Sequence, residues 1–253
     1  MNIFTKLSSA AIVGASLMSF NASAALEDFV IDESLYGGSS SVTADKLNGA
    51  YVEKITFDGS GNFEAHAFAT MSQLLTNDGT SDITGSVQLG DSYGLYALFD
   101  ATGVGVPRAN PNETDLYMTS GSFSLFLDTN FDTNGTVGAT GSDSVSLVNN
   151  SDDKLLASTS LSTGYAYLNS AFGGFFDFSF FDFTLTADGE NYFVSPDPFY
   201  VRVTVDGDFD EFDTAGTQTV IGDVSAVFVP EPASLGIMSL VLLGLTGLGR
   251  KKA

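Results

Sequence analysis

Residues 63–70, with the sequence Phe-Glu-Ala-His-Ala-Phe-Ala-Thr, decide the fold class of this 253-residue chain. Apolar side chains occupy every second position from Phe63 to Ala69, and three of the four alternate positions are polar. Residues 199–206, Phe-Tyr-Val-Arg-Val-Thr-Val-Asp, repeat the alternation. Because successive side chains of a strand point to opposite faces, this period of two predicts strands with one buried face.

Strand-like runs continue along most of the chain between residues 25 and 229. The further runs are Leu26 to Ile31, Tyr51 to Asp58, Ile83 to Leu89, Tyr93 to Ala101, Leu116 to Asp128, Ser144 to Val148, Leu155 to Leu161, Phe175 to Ala187 and Val220 to Val229. Clusters of Gly, Asn and Asp at 58–62, 77–79 and 187–191 predict turns between them. No long helix is expected, and Met71 to Leu75 fit one helical turn. Many short strands at close spacing predict an all-β domain at residues 25–228, an antiparallel β-sandwich or jelly roll.

The densest apolar segment, Phe172 to Phe183, has two interpretations. Its phenylalanines change parity between Phe180 and Phe181, so a bulge or a strand covered on both faces is expected. The first interpretation is that the rings belong to the core. The second is an aromatic platform on which sugar rings stack, which requires several rings exposed as one patch.

The composition excludes several classes of function. Residues 25–229 contain five basic and 30 acidic residues, a formal net charge of −25. A surface of this sign repels nucleic acid and anionic lipid and attracts divalent cations. The chain has no cysteine, so disulfides, thiol catalysis and cysteine-bound metals are excluded.

Two acidic stretches have the oxygen spacing of calcium ligands. Asp206, Asp208 and Asp210 alternate along one strand-like run, and Asp128 to Gly135 form the second stretch. The second stretch lacks the glutamate that a helix-flanked calcium loop places twelfth, because Gly141 occupies that position. Calcium binding and a solvated acidic turn both remain possible for each stretch.

Catalytic residues are not predicted. His66 is the only histidine, and no Gly-x-Ser-x-Gly motif accompanies it. On an alternating strand His66 lies opposite the alanines, on the exposed face. We therefore expect no enzymatic activity, with a secreted hydrolase that uses His66 as its base as an alternative.

The amino terminus has the features of a secretory signal peptide. Lys6 precedes an apolar stretch at 10–20, and Ala22 and Ala24 supply the small residues that signal peptidase requires before Ala25. Residues 1–24 are therefore predicted to be removed on export.

The carboxyl terminus combines a proline-rich tetrapeptide, an apolar run and a basic end. Val229, Pro230, Glu231 and Pro232 precede an uncharged run at 233–249. As a helix this run reaches about 26 Å, which is at the short limit for spanning a hydrocarbon core of about 30 Å. The basic residues that follow are Arg250, Lys251 and Lys252, which the charge bias of insertion keeps in the cytoplasm. Residues 229–253 thus predict a transmembrane helix with an extended, accessible peptide outside the bilayer.

The order of these three parts resembles the PEP-CTERM sorting signal of Gram-negative bacteria. The resemblance implies export across the inner membrane, transient membrane anchoring, and cleavage near Pro230 to Pro232 by an exosortase. The cell surface or the exopolysaccharide matrix is the implied destination.

Parts of the domain at residues 25–228 resemble the flocculation-associated PEP-CTERM proteins. The similar segments are Tyr93 to Phe99, Gly121 to Asp128, Asp197 to Tyr200 and Val205 to Phe209. This resemblance implies a non-enzymatic role in floc or biofilm cohesion with exopolysaccharide as partner. A calcium-dependent carbohydrate-binding module is the alternative, with Asp206, Asp208 and Asp210 as its metal ligands.

Overall fold

Antiparallel strands make up most of residues 25–230, the part of the chain that a computed structural model describes. The strands are β1 (Phe29–Ile31), β2 (Val42–Ala44), β3 (Lys46–Phe57), β4 (Asn62–Thr76), β5 (Ser81–Asp82), β6 (Gly94–Pro107), β7 (Glu113–Asp128), β8 (Asn134–Thr136), β9 (Ser146–Val148), β10 (Lys154–Thr159), β11 (Leu161–Asn169), β12 (Gly173–Phe181), β13 (Thr184–Leu185), β14 (Phe193–Ser195), β15 (Arg202–Phe209) and β16 (Gly216–Val229). One short helix, α1 (Ala187–Tyr192), and two 3-10 turns at Ser34–Tyr36 and Thr84–Ser86 complete the secondary structure of these residues. The predicted all-β class is confirmed.

Eight of the strands close into a barrel. Around the ring they follow chain order, β3, β4, β6, β7, β11, β12, β15 and β16, and every neighbouring pair is antiparallel. β16 then pairs with β3, from Gly216 opposite Phe57 to Ala226 opposite Leu47. The expected sandwich or jelly roll is not what the structure shows, because the first and last barrel strands pair with each other and a single sheet closes. Closure pairs the barrel's outermost strands and so removes the exposed edges.

The long strand β7 pairs with two different strands, β11 and β10, one after the other along its length. Its first half, up to Met118, pairs with β11, and its second half, from Phe123, pairs with β10. The segment 129–153 between β7 and β10 therefore leaves the barrel and returns to it. The hairpin of β8 and β9 belongs to this segment.

Aromatic rings and small side chains face each other inside the barrel. β4 and β12 are four strands apart in both directions around the ring, so they lie on opposite walls. Ala65, Ala67 and Ala69 of β4 are buried, as are Phe176 and Phe180 of β12. The small residues of one wall leave room for the large rings of the other. Side chains of both walls therefore fill the interior, which in an eight-stranded barrel is just wide enough for them.

The two ends of the barrel differ, and we name them by their residues. At the basal end β3 begins at Lys46 and β16 ends at Val229; at the distal end β3 turns into β4 at 58–61. The amino-terminal segment covers the basal end, where β1 pairs with β2 and β14 and the ring of Phe29 packs 5.1 Å from that of Phe228. Phe29 and Ile31 are fully buried there.

Several local predictions differ from the structure. Residues 83–89 contain a 3-10 turn rather than a strand, and Met71 to Leu75 belong to β4 rather than to a helical turn. Strand β11 was not predicted beyond its first residue. The parity change after Phe180 arises because β12 ends at Phe181 and Asp182 adopts a φ of 55°, which turns Phe183 into the core, so no bulge is needed.

The predicted signal peptide and most of the predicted anchor lie outside the described residues. Ala22, Ala24, Glu231, Pro232 and the basic residues 250–252 belong to these parts. Within residues 25–230, no helix has the length and apolarity that crossing a bilayer requires.

Candidate functional site

Four aromatic side chains form a continuous patch on the outer surface of the barrel. Tyr117 of β7, Tyr165 and Tyr167 of β11 and Phe175 of β12 all alternate with inward-facing residues, so they share the outer face. Neighbouring ring centroids lie 5.6 to 6.2 Å apart. Phe175 is 50% exposed and Tyr117 is 43% exposed. We call this set the aromatic patch.

Arg108 and Asp115 fix the orientation of the tyrosines in the patch. The Tyr165 hydroxyl donates to Asp115 Oδ1 at 2.7 Å, and Arg108 Nη2 lies 2.6 Å from the same oxygen. The Arg108 guanidinium also lies 4.6 Å from the centroid of the Tyr167 ring, a cation–π distance. Hydrogen bonds from Arg108 and Tyr165 hold the pKa of the Asp115 carboxyl below its ordinary value. Two of the four rings are therefore held in place before any ligand arrives, which lowers the ordering cost of binding.

Carboxylates continue the outer face beyond the patch. In the register of the sheet, Tyr165 lies opposite Asp177, Asp177 lies opposite Asp206, and Phe175 lies opposite Asp208. Burial raises the pKa of Asp206, and the charge of Asp177 raises it further. The patch thus combines exposed rings with hydrogen-bond acceptors, the two kinds of group that a sugar ring with its hydroxyls engages.

The predicted calcium ligands Asp206, Asp208 and Asp210 are spread along β15 and the loop after it. Asp206 and Asp208 share the outer face but lie two residues apart, a rise of about 6.8 Å, and Asp208 Oδ1 accepts from the backbone N–H of Asp223. Their oxygens do not form part of the converging group found in residues 25–230. Calcium binding by these three residues stays a prediction.

The converging group consists of Asp128, Asp152 and Asp153. One ligand oxygen from each lies within 4.8 Å of the others. Several oxygens of the group already accept hydrogen bonds, from Thr133 N to Asp128 at 2.8 Å, from the Tyr96 hydroxyl to Asp153 at 2.7 Å, and from the Thr129 hydroxyl to Asp152. We call these three residues the acidic group.

The acidic group shares one residue with the second predicted calcium stretch. Asp128 begins that stretch, but the structure brings it to Asp152 and Asp153 rather than to the ligands expected from the local spacing. Partial loss of hydration next to the acidic group, together with the charges of its three carboxylates, raises the pKa of Asp132. The sequence pattern does not indicate Asp152 and Asp153, because they are the last two residues of the segment 129–153 and meet Asp128 only where that segment returns to the barrel.

His66 lies on the outer face of β4, as the alternation predicts. Its Nδ1 is 3.0 Å from the backbone oxygen of Ala65, and in the register it lies opposite Lys54 and Asp100. No serine hydroxyl hydrogen-bonds to its ring among the contacts of residues 25–230.

The aromatic patch was not predicted as such, although part of the signal is local. Phe175 belongs to the phenylalanine-rich segment, but Tyr165 and Tyr167 lie on the unpredicted strand β11. The alternation of Tyr165 and Tyr167 with Ala166 and Leu168 is the local pattern that indicates strand β11 and its outward-facing rings. Of the aromatic run itself, Phe176 and Phe180 belong to the core, whereas Phe172 and Phe175 are exposed; a sugar-stacking role for the exposed rings stays a prediction.

The predicted processing site follows directly from the last barrel strand. Val229 ends β16 at the basal end, where it pairs with Arg202, and Pro230 is exposed. The aromatic patch lies in the distal half of the barrel, because Tyr167 and Phe175 are close to the β11–β12 turn. The two features therefore lie toward opposite ends of the barrel.

Comparison with known proteins identifies the carboxyl-terminal segment. Residues 228–252 match the family described as the PEP-CTERM protein-sorting motif. No curated protein and no solved structure matches the chain. The predicted sorting signal is confirmed, and it implies an exosortase as processing partner, with export and transient membrane sorting to the surface of a Gram-negative bacterium.

Proposed function

We propose that the released barrel is a non-enzymatic matrix protein that binds exopolysaccharide through the aromatic patch and so contributes to floc or biofilm cohesion. The patch is the observation that carries this proposal. Aromatic faces take up the apolar C–H surface of a sugar ring, while Asp115 and the neighbouring carboxylates accept hydrogen bonds from its hydroxyls.

The position of the sorting motif supports this assignment. The motif begins where β16 leaves the basal end, so a tethered barrel has that end toward the bilayer. The patch lies toward the other end, where it meets the extracellular matrix both before and after cleavage. A binding surface next to the anchor would instead be shielded until release.

The negative charge of residues 25–229 determines which kind of glycan the barrel can approach. With a formal net charge of −25, the barrel repels an anionic polysaccharide and other copies of itself at low salt. A neutral polysaccharide is not repelled in this way, whereas an acidic one would need a divalent cation to bridge it to the barrel. We therefore expect the patch to prefer neutral glycans.

Replacement of exposed rings tests the patch. Phe175→Ala together with Tyr167→Ala should weaken binding of purified exopolysaccharide about tenfold or more, because each lost stacking contact removes a desolvated aromatic surface. Phe131→Ala is the matched control, since Phe131 is 55% exposed but lies in the segment 129–153 on another face. Equal binding by wild type, control and double variant would contradict the proposal.

The sorting signal is tested in cells. Deletion of residues 229–253 should leave the body freely secreted and reduce the settling of cells as flocs. If the deletion strain settles as well as the wild type, the cohesive role is wrong, whatever the purified body binds.

A calcium-dependent carbohydrate-binding module is a second candidate, favoured by the position of Asp208 opposite Phe175. It predicts that a chelator abolishes polysaccharide binding and that Asp208→Asn has the same effect. Binding that depends on Phe175 and Tyr167 but survives the chelator supports the patch alone.

A further inference from the structure

Arg202, at the start of β15, carries the buried side-chain donor that lacks an acceptor within residues 25–230. Its Nε is buried and makes no hydrogen bond there. A buried donor without a partner costs free energy, so this one indicates an acceptor that the described residues do not supply. The guanidinium lies 5.9 Å from the centroid of the Phe181 ring, at the outer limit of a cation–π contact, and that contact provides no hydrogen-bond acceptor.

The acidic barrel does not provide a carboxylate for Arg202. Residues 25–229 contain 30 acidic residues, yet the ion pairs of the described part of the chain are both made by Arg108. Lys46, the cation on the other side of β16, faces Asp206 instead: burial raises the pKa of that carboxyl, and the charge of Lys46 opposes the rise. The acceptor for Arg202 is therefore to be sought in the chain that follows β16.

The next carboxylate along the chain is Glu231, the acid of the Pro-Glu-Pro sequence in the sorting motif. Arg202 lies directly opposite Val229, and the two alternate with the buried residues Val203 and Phe228, so they share the outer face of the sheet. Glu231 follows Val229 by two residues. In an extended continuation of β16 it is the diagonal neighbour of Arg202, at about 7–8 Å between Cα atoms, a separation that long side chains bridge.

The two prolines favour such a continuation. A residue before proline is restricted to extended conformations, which applies to Val229 before Pro230 and to Glu231 before Pro232. Pro230 loses no hydrogen bond of the sheet, because β15 begins at Arg202, opposite the residue that precedes this proline. The sequence therefore favours a stiff, extended peptide at the point where Glu231 meets Arg202.

We propose that Arg202 is a positioning residue for sorting, which binds the carboxylate of Glu231 in the uncleaved chain and holds the Pro-Glu-Pro peptide as an extension of the barrel wall. The guanidinium turns over the Phe181 ring so that Nε and one Nη donate to the carboxylate, and this fork fixes direction as well as distance. The exosortase then meets its cleavage peptide in one orientation.

The pair also couples cleavage to folding. β15 supplies the arginine and β16 leads into the peptide, so the two charges meet only where these strands pair in the folded barrel. Cleavage is thereby favoured in chains that have folded. This inference rests on the sorting motif and is independent of the polysaccharide contact at the aromatic patch.

Pulse-chase labelling of the full-length chain in the producing cells measures the rate of cleavage. Arg202→Ala should slow conversion of the precursor about fivefold or more, and Arg202→Lys, which keeps the charge but loses the fork, should recover part of the rate. Lys46→Ala is the matched control, because Lys46 is also a cation near the basal end but begins β3 and does not lie opposite Val229. A wild-type rate in Arg202→Ala would overturn the proposal.

Insertion of Gly-Ser between Val229 and Pro230 separates a direct contact from a structural effect of Arg202. The insertion keeps both charges and the whole motif but moves Glu231 about 7 Å further along the chain, so it should also slow cleavage. In the lengthened chain Arg202→Ala should have no further effect, because the contact is already lost. Further slowing there would overturn the proposal and indicate another acceptor for Arg202, a lipid phosphate group or the enzyme.

Chemical cross-linking detects the contact itself. In the uncleaved Arg202→Lys chain, isolated in detergent from cells that lack the exosortase, a carbodiimide should join the amine at position 202 to the Glu231 carboxylate as an amide, with loss of water. Glu231→Gln removes the carboxylate, so the cross-linked peptide should then disappear from the mass spectrum. Absence of that peptide from the Arg202→Lys chain would show that the two side chains do not meet.

Discussion

The hydroxyl of Tyr93 donates a 2.7 Å hydrogen bond to Oε1 of Glu33, and both side chains are fully buried. This contact joins the amino-terminal segment to the start of β6 across the basal end of the barrel. The backbone N–H of Gln88 donates to the same carboxylate oxygen at 3.0 Å, and the hydroxyls of Tyr93 and Tyr192 lie 2.8 Å apart. The acid therefore accepts from two groups of the segment that precedes β6, and the Tyr93 hydroxyl links it to Tyr192 of α1.

Removal of that acceptor should destabilise the barrel. Glu33→Ala leaves the N–H of Gln88 without its partner and is expected to lower the free energy of unfolding by about 1–3 kcal/mol. Urea unfolding followed by circular dichroism measures this, with Glu211→Ala, at an exposed position of the distal loop, as control. A loss no larger than that of the control would show that the basal contact is dispensable.

Glu53 should make stability depend on pH. Its pKa in the folded state is about 7, above the ordinary value of 4.5, so the folded state binds more protons than the unfolded state between these values. Stability from this group is therefore present at low pH and lost as pH rises from about 4.5 to 7. The gap corresponds to roughly 3 kcal/mol at about 1.4 kcal/mol per pH unit.

Glu53→Gln isolates this contribution from the other carboxylates, which both proteins share. At pH 8 the variant should unfold at higher urea concentration than the wild type, and at pH 4.5 the two midpoints should converge. Parallel pH profiles would mean that Glu53 is compensated in the folded state.

Asp152→Asn should be more stable than the wild type without calcium, and less stable than the wild type if the acidic group binds added calcium. Three carboxylates within 4.8 Å repel one another, so Asp152→Asn is expected to raise the melting temperature by about 2 °C in a chelator. An asparagine oxygen still accepts from Thr129, so the hydrogen bond need not be lost.

Added calcium should reverse the order of the two proteins if the group holds a cation. Binding to the native state alone raises stability by mass action, so the wild type should gain more than Asp152→Asn. Differential scanning fluorimetry with millimolar calcium measures this, with Asp208→Asn as the comparison for the other predicted ligand set. No gain in the wild type would identify the acidic group as a solvated feature.

The alternating segments allowed the strands to be predicted, because their pattern is local. Phe63 to Ala69 define the inward face of β4, and the valines at 203 and 205 define that of β15. The same reasoning failed for residues 83–89, where the apolar positions Ile83, Val87 and Leu89 pack beneath a 3-10 turn instead of alternating along a strand.

Barrel closure was not predictable from these local patterns. It depends on β16 reaching back to β3, a pairing between residues such as Val220 and Glu53 that no local periodicity encodes. A sandwich and a closed barrel use the same half-buried strands, so the choice between them lies in register and not in composition. The aromatic patch was hidden for the same reason, since it forms only when β7, β11 and β12 lie side by side.

Gly141 provides a last test, of how the segment 129–153 is held to the barrel. Its N–H donates to Thr56 Oγ1 at 2.8 Å, and a Cβ at this position would lie 1.9 Å from the backbone oxygen of Glu64. Because that oxygen belongs to a barrel strand and cannot yield, Gly141→Ala should lift the segment from the barrel while the barrel itself stays folded. Limited proteolysis followed by mass spectrometry should then show faster cleavage within 129–153 than in the wild type. Gly59→Ala is the matched control, since a Cβ there meets nothing within 4 Å. Equal cleavage in the two variants would show that close approach at Gly141 does not hold the segment in place.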